Sequence, residues 1–272
     1  MYRTILPFLF ILVFMGCEGA KQQAQQQPAV VQIAETRVQQ DADLQEPDLE
    51  WLEFLFQQSI ADVEASAGRR FQHEPQLYLA AIVGNHLQVR RYNSDRIEDI
   101  LHPAQAKVFM NESFGAVAMR ESNKIVLLRN RLNLRNRANP QMVHDTMVHE
   151  LTHAMCGEMG LLGRSSRPEW ISENIYMGLM RFVSAVTEVM AYQNAYDICK
   201  KHYSESAIPP DFSSVNFMFK GPDALIPYEV ILGEYKKHGM QYMCQNCSTL
   251  ERMLDYAAML LERQKDTWPV AK

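Results

Sequence analysis

His149-Glu150-Leu151-Thr152-His153 decides how this chain is read. On a helix, residues four apart lie on one face about one turn up. The two imidazoles can therefore reach one cation, and the Glu150 carboxylate stands beside the first of them. Motifs of this kind arise by accident in roughly one chain in a hundred of this length at ordinary composition, so the flanking sequence must decide.

The flanks favour a buried helix. Pro140 opens it, with Asn139 before it as a candidate N-cap. Met142, Val143, Met147, Val148, Leu151, Ala154 and Met155 recur at helical spacing, and Gly157 and Gly160 can end the run. Polar side chains in so apolar a helix need partners, since an unpaired buried polar group costs several kcal/mol. No charge adjoins the motif in Thr146-Met147-Val148 or Ala154-Met155. Upstream, Ala116–Met119 and Lys124–Leu128 are strand-like around Glu121-Ser122-Asn123, which predicts a hairpin over Phe114–Arg129.

Over about Phe114 to Lys201 the chain resembles the zincin metallopeptidases, and within them the gluzincin branch, whose third metal ligand is a Glu on a later helix. The resemblance implies zinc held by His149 and His153, with Glu150 as general base in peptide hydrolysis. It also implies an α+β, zincin-like fold, mostly helical, with a small sheet whose edge strand precedes the motif helix. An extended substrate would pair along Ile125–Arg129. No third His follows at the metzincin spacing, so the third ligand should be a carboxylate.

Two carboxylates compete. Glu173, in Pro168-Glu169-Trp170-Ile171-Ser172-Glu173-Asn174, resembles the Trp-Leu-x-Glu-Gly stretch of gluzincin aminopeptidases, though Ser172-Glu173 also reads as a helix cap and first-turn acid. Glu188, in Thr187-Glu188-Val189-Met190-Ala191-Tyr192, sits on an apolar helix expected over Ile175–Ile198. Desolvation favours Glu188. Both cannot serve one ion from one straight helix, because fifteen residues span over 20 Å, roughly four turns. Tyr192 and Tyr196 are candidate oxyanion donors or core aromatics. Asp197 is a candidate acceptor for a ligand His. His144 lies off the face of the pair and reads as structural or exposed.

The rest of the chain sets the context. Residues 1–17 read as a leader, with Arg3, apolar Ile5–Met15, and Gly16-Cys17 ending the run. The apolar run is too short to span a bilayer. It resembles a bacterial lipoprotein signal, implying an exported protein held to the membrane by a lipid on Cys17. Gln-rich residues 18–47 read as a tether, and residues 48–272 as one catalytic domain. In that domain, Leu49, Leu52, Leu55, Phe56, Ile60 and Val63 predict an amphipathic helix ended by Gly68. Gln76–Gln88 is ambiguous between helix and strand. Ser204–Pro227 reads as a loop, and Tyr228–Gln264 as largely helical with a stripe of Leu250, Met253, Leu254, Ala257, Leu260 and Leu261.

The net charge of −5 and the lack of a basic block argue against nucleic acid as a partner. The sixteen Met read as core filler. Cys156, Cys199, Cys244 and Cys247 are even in number and open to pairing, Cys156 with Cys199 being one arrangement. Cys244–Cys247 alone is weak evidence for a metal or redox site, and His238 nearby does not strengthen it. Peptide or protein is the expected substrate. The rival readings are a non-catalytic envelope binding or assembly lipoprotein with a structural metal, and a zinc hydrolase of non-peptide amides.

Overall fold

A computed structural model describes residues 47–83, 86–101, 116–119, 123–129, 140–162, 166–204 and 226–265, with isolated positions between them. The expected leader, Cys17 and nearly all of the tether lie outside the described residues, as do Asn139 and most of Ser204–Pro227. No helix among the described residues is long and apolar enough to cross a membrane. The described chain is α+β and mostly helical, with one small sheet.

Helix α1 spans Leu49–Ala67. The Asp48 side chain caps it by accepting from Trp51 N–H at 3.1 Å, and Gly68 ends it at φ 65°. Leu52, Leu55, Phe56 and Val63 are buried as their spacing predicts, whereas Ile60 is half-buried and Leu49 exposed. The ambiguous apolar stretch resolves as strand: β1, Gln76–Val83, pairs antiparallel with β2, His86–Arg91. The predicted hairpin forms from β3, Ala116–Met119, and β4, Lys124–Leu128. The sheet order is β2-β1-β4-β3, with β1 and β4 parallel.

This order corrects one expectation. The strand directly before the motif helix, β4, is internal, with β1 on one side and β3 on the other. Ile125–Arg129 therefore offers no free edge to a substrate. Arg129 N–H is itself bonded to the Ala80 carbonyl at 2.8 Å. Among the described residues, β3 is the edge strand on that side of the sheet. The reason lies in the side chains: Ile125, Val126, Leu127 and Leu128 are all at 0% exposure. A strand apolar at every position is covered on both faces, as in the middle of a sheet, whereas a half-exposed strand alternates. On one face Val126 and Leu128 pack with Tyr78, Ala80, Ile82, Val89 and Leu101.

Helix α2, Gln141–Glu158, carries the motif and packs on α1, β3 and β4. The Pro140 carbonyl accepts the first helical bond, from His144 N–H at 2.9 Å, so Pro140 sits in the cap position. The helix runs through Gly157, and Gly160 at φ 84° turns the chain away. At that end the Glu158 carboxylate accepts from Gln72 and His73 N–H and from the Asn123 amide, tying the strand turns to the helix. Helix α3, Glu173–Tyr203, is longer than the predicted Ile175–Ile198. Helices α4, Tyr228–Asn246, and α5, Leu250–Lys265, follow, with α4 interrupted at Gly239 (φ 76°). Of the expected stripe on α5, Leu250, Met253, Ala257 and Leu260 are buried, while Leu254 and Leu261 are half-buried.

The described residues divide into two units. One holds α1, the sheet, α2 and the C-terminal part of α3 from Ala191. The other holds the N-terminal part of α3, α4 and α5. Within the second unit, Phe182 meets Tyr256 at 6.0 Å between ring centres, and Arg263 pairs with the buried Glu234 at 2.8 Å.

Candidate metal centre

The motif helix delivers the predicted convergence. His149 and His153 are one turn apart on α2, and their Nε2 atoms are 3.0 Å apart with the rings edge to face at 4.7 Å. Neutral imidazole nitrogens so placed cannot both present lone pairs to each other without a proton or cation between them. Tetrahedral zinc with bonds of 2.0–2.1 Å would hold two nitrogens about 3.3 Å apart, so only a small opening is needed. His153 is buried and His149 half-buried. Glu150, half-buried, follows His149 directly on the helix.

Glu188 supplies the third group. One ligand atom from each of His149, His153 and Glu188 lies within 4.8 Å of the others. The helix itself explains the placement. Tyr192, one turn after Glu188 on unbroken α3, sets its ring against His149 at 4.5 Å and 67°, so Glu188 must lie near the same imidazole. Two nitrogens and one carboxylate oxygen are a zinc donor set. On this chemistry and spacing the residues fit the metal.

Glu173 is not brought there. It is exposed in the first turn of α3, behind Ser172, whose hydroxyl accepts from Ile175 N–H at 3.4 Å. The cap reading of Ser172-Glu173 is the one that the fold adopts. Of the two tyrosines, Tyr192 adjoins the centre, whereas Lys200 covers the ring of Tyr196 at 5.6 Å. Asp197 is exposed and accepts from the Gln193 amide at 2.8 Å, so it is not the acceptor for a ligand His.

Several supporting residues escaped the sequence reading. Thr152, inside the motif, is fully buried; its hydroxyl donates to the Val148 carbonyl at 2.8 Å and accepts from the Asn194 amide at 2.8 Å. Asn194 in turn accepts from the Ser66 hydroxyl. This chain of bonds joins α1, α2 and α3. Burial raises the Asp145 carboxyl above its usual range, with His149, one turn on, acting in the opposite direction.

The other candidates separate cleanly. Cys156, Cys199, Cys244 and Cys247 are all buried and none forms a disulfide, so the Cys156–Cys199 pairing is not made. No Cys joins a metal-ligating group among the described residues. His238 stacks on Tyr242 at 4.3 Å and lies 3.9 Å from Glu234. His144 is fully buried, beside Asp62 and His202 in a second group of ligand type. Burial holds its imidazole down to about 4.

No family model matches this chain, and neither does any curated protein or solved structure.

Proposed function

We propose that the protein is a zinc-dependent peptidase of zincin-like fold, with His149, His153 and Glu188 as metal ligands and Glu150 as general base. The observation that carries the proposal is the convergence of two imidazole nitrogens and a carboxylate on one point, with a second carboxylate next in sequence to the first ligand. Zinc bound there would supply Lewis acidity, polarising the scissile carbonyl and acidifying water. Glu150 takes the proton of the attacking water and returns it to the leaving amine. Tyr192, whose ring lies against His149, is the candidate donor to the developing oxyanion. β3, the edge strand among the described residues, would give an extended peptide a strand to pair with, in place of the Ile125–Arg129 stretch. The leader and tether read from residues 1–47 complete the proposal, that of an exported enzyme held to the membrane through a lipid on Cys17.

Glu150→Gln tests the chemistry. Zinc content should be unchanged while hydrolysis of a mixed peptide library falls about 10²–10⁴-fold. Turnover retained by Glu150→Gln would remove Glu150 as the base. A wild type that holds zinc yet cleaves no peptide would instead favour a structural metal in a binding protein.

A further inference from the structure

Three side chains far apart in sequence meet within the first unit. They are Asp62 near the end of α1, His144 in the first turn of α2, and His202 in the last turn of α3. One carboxylate oxygen, Asp62 Oδ2, is 2.8 Å from His202 Nε2 and 3.4 Å from His144 Nε2. One ligand atom from each lies within 4.8 Å of the others. The far nitrogen of each ring is already engaged: His144 Nδ1 is 3.0 Å from the Tyr203 hydroxyl, and His202 Nδ1 is 3.2 Å from the Gln58 amide. Imidazoles that bind metals characteristically have the other nitrogen held by an outer partner, which fixes tautomer and ring direction. His144 is fully buried, and its Nε2 meets Asp62 Oδ2 at 3.4 Å without the alignment of a hydrogen bond.

We propose that Asp62, His144 and His202 form a second divalent-cation site, taking zinc through both Nε2 atoms and Asp62 Oδ2. A donor set of two imidazoles and one carboxylate suits zinc and its first-row neighbours. Tetrahedral zinc would hold such a nitrogen and oxygen about 3.3 Å apart. The His144 separation already matches, and the His202 separation must open by about half an ångström. That adjustment falls on side chains 30% and 24% exposed rather than on the buried ring. The partial exposure also leaves room for water as a fourth ligand.

This site is distinct from the first centre. His144 lies five residues before His149, about 140° round the helix, so the two rings leave different faces of α2. The cation would bind α1, α2 and the end of α3 together, acting as a structural clasp under the elements that present the motif.

Counting zinc on the full chain tests the proposal. The protein is stripped with chelator, dialysed against zinc and assayed for bound metal, with far-ultraviolet dichroism confirming the fold of each variant. Wild type should hold two equivalents, and His202→Ala and Asp62→Asn one each. His149→Ala/His153→Ala should keep the equivalent that His202→Ala loses. A folded His202→Ala and a folded Asp62→Asn that hold as much zinc as wild type overturn the site. A wild-type count of one, lost in His202→Ala, would uphold this site and remove the first.

Discussion

At the scale of single residues, the motif could be read because helix geometry is local. Four residues of separation fix which side chains share a face, so His149 and His153 needed no tertiary information to be paired. For the third ligand the sequence offered two acids, and desolvation favoured Glu188. Glu188 is surrounded by Val186, Thr187, Val189 and Met190, all at 0% exposure, whereas Glu173 is in water at a helix start. We expect Glu188→Ala to lower bound zinc by one equivalent and Glu173→Ala to leave it unchanged, as read by elemental analysis after dialysis. The reverse pattern would transfer the ligand role to Glu173. Asp62 and His202 could not be found in this way. They are 140 positions apart and belong to no motif, and only the packing of three helices brings them together.

At the scale of elements, the hairpin β3–β4 and the motif helix follow from apolar period and turn residues. What a single strand cannot declare is its neighbours. The unbroken run Ile125-Val126-Leu127-Leu128 carried the signal of a central strand, and β1, left ambiguous by its own sequence, is the partner that encloses it. The bond chain Ser66–Asn194–Thr152 was equally hidden, because a Thr in a motif and an Asn on a distant helix acquire meaning only once buried together. Removing the Asn194 amide should cost about 1–3 kcal/mol, the range for a buried hydrogen-bonded group. Asn194→Ala should therefore lower the unfolding free energy in urea by that amount. Stability equal to wild type would show that the bond does not hold α2 against α3.

At the scale of the whole molecule, the cysteines separate two accounts of stability. A chain read from its sequence as exported, with four cysteines beyond Cys17, invited disulfides, but burial without a disulfide makes them apolar packing. Alkylation at pH 8 should therefore leave these four unmodified in the native protein and label all four after denaturation without reductant. Loss of two reactive thiols in the denatured sample would contradict this. Burial, with Asp145 and Asp62 adding to it, lifts the Cys199 thiol from 9.0 to about 12, and burial lifts the Tyr203 phenol from 10.0 to about 12. Both shifts favour the neutral, protonated form in the folded state. Their stabilisation is thus complete below about pH 9 and is lost as pH rises toward 12. Melting temperature should fall across that window, as read by thermal unfolding at a series of pH values between about 9 and 12.

The most direct test of the account is a crystal of the zinc-soaked protein measured on either side of the zinc absorption edge. The account predicts an anomalous peak within about 2.0–2.2 Å of His149 Nε2, His153 Nε2 and one Glu188 oxygen. Rings turned apart, or a peak absent from that point while zinc is bound elsewhere, would contradict it.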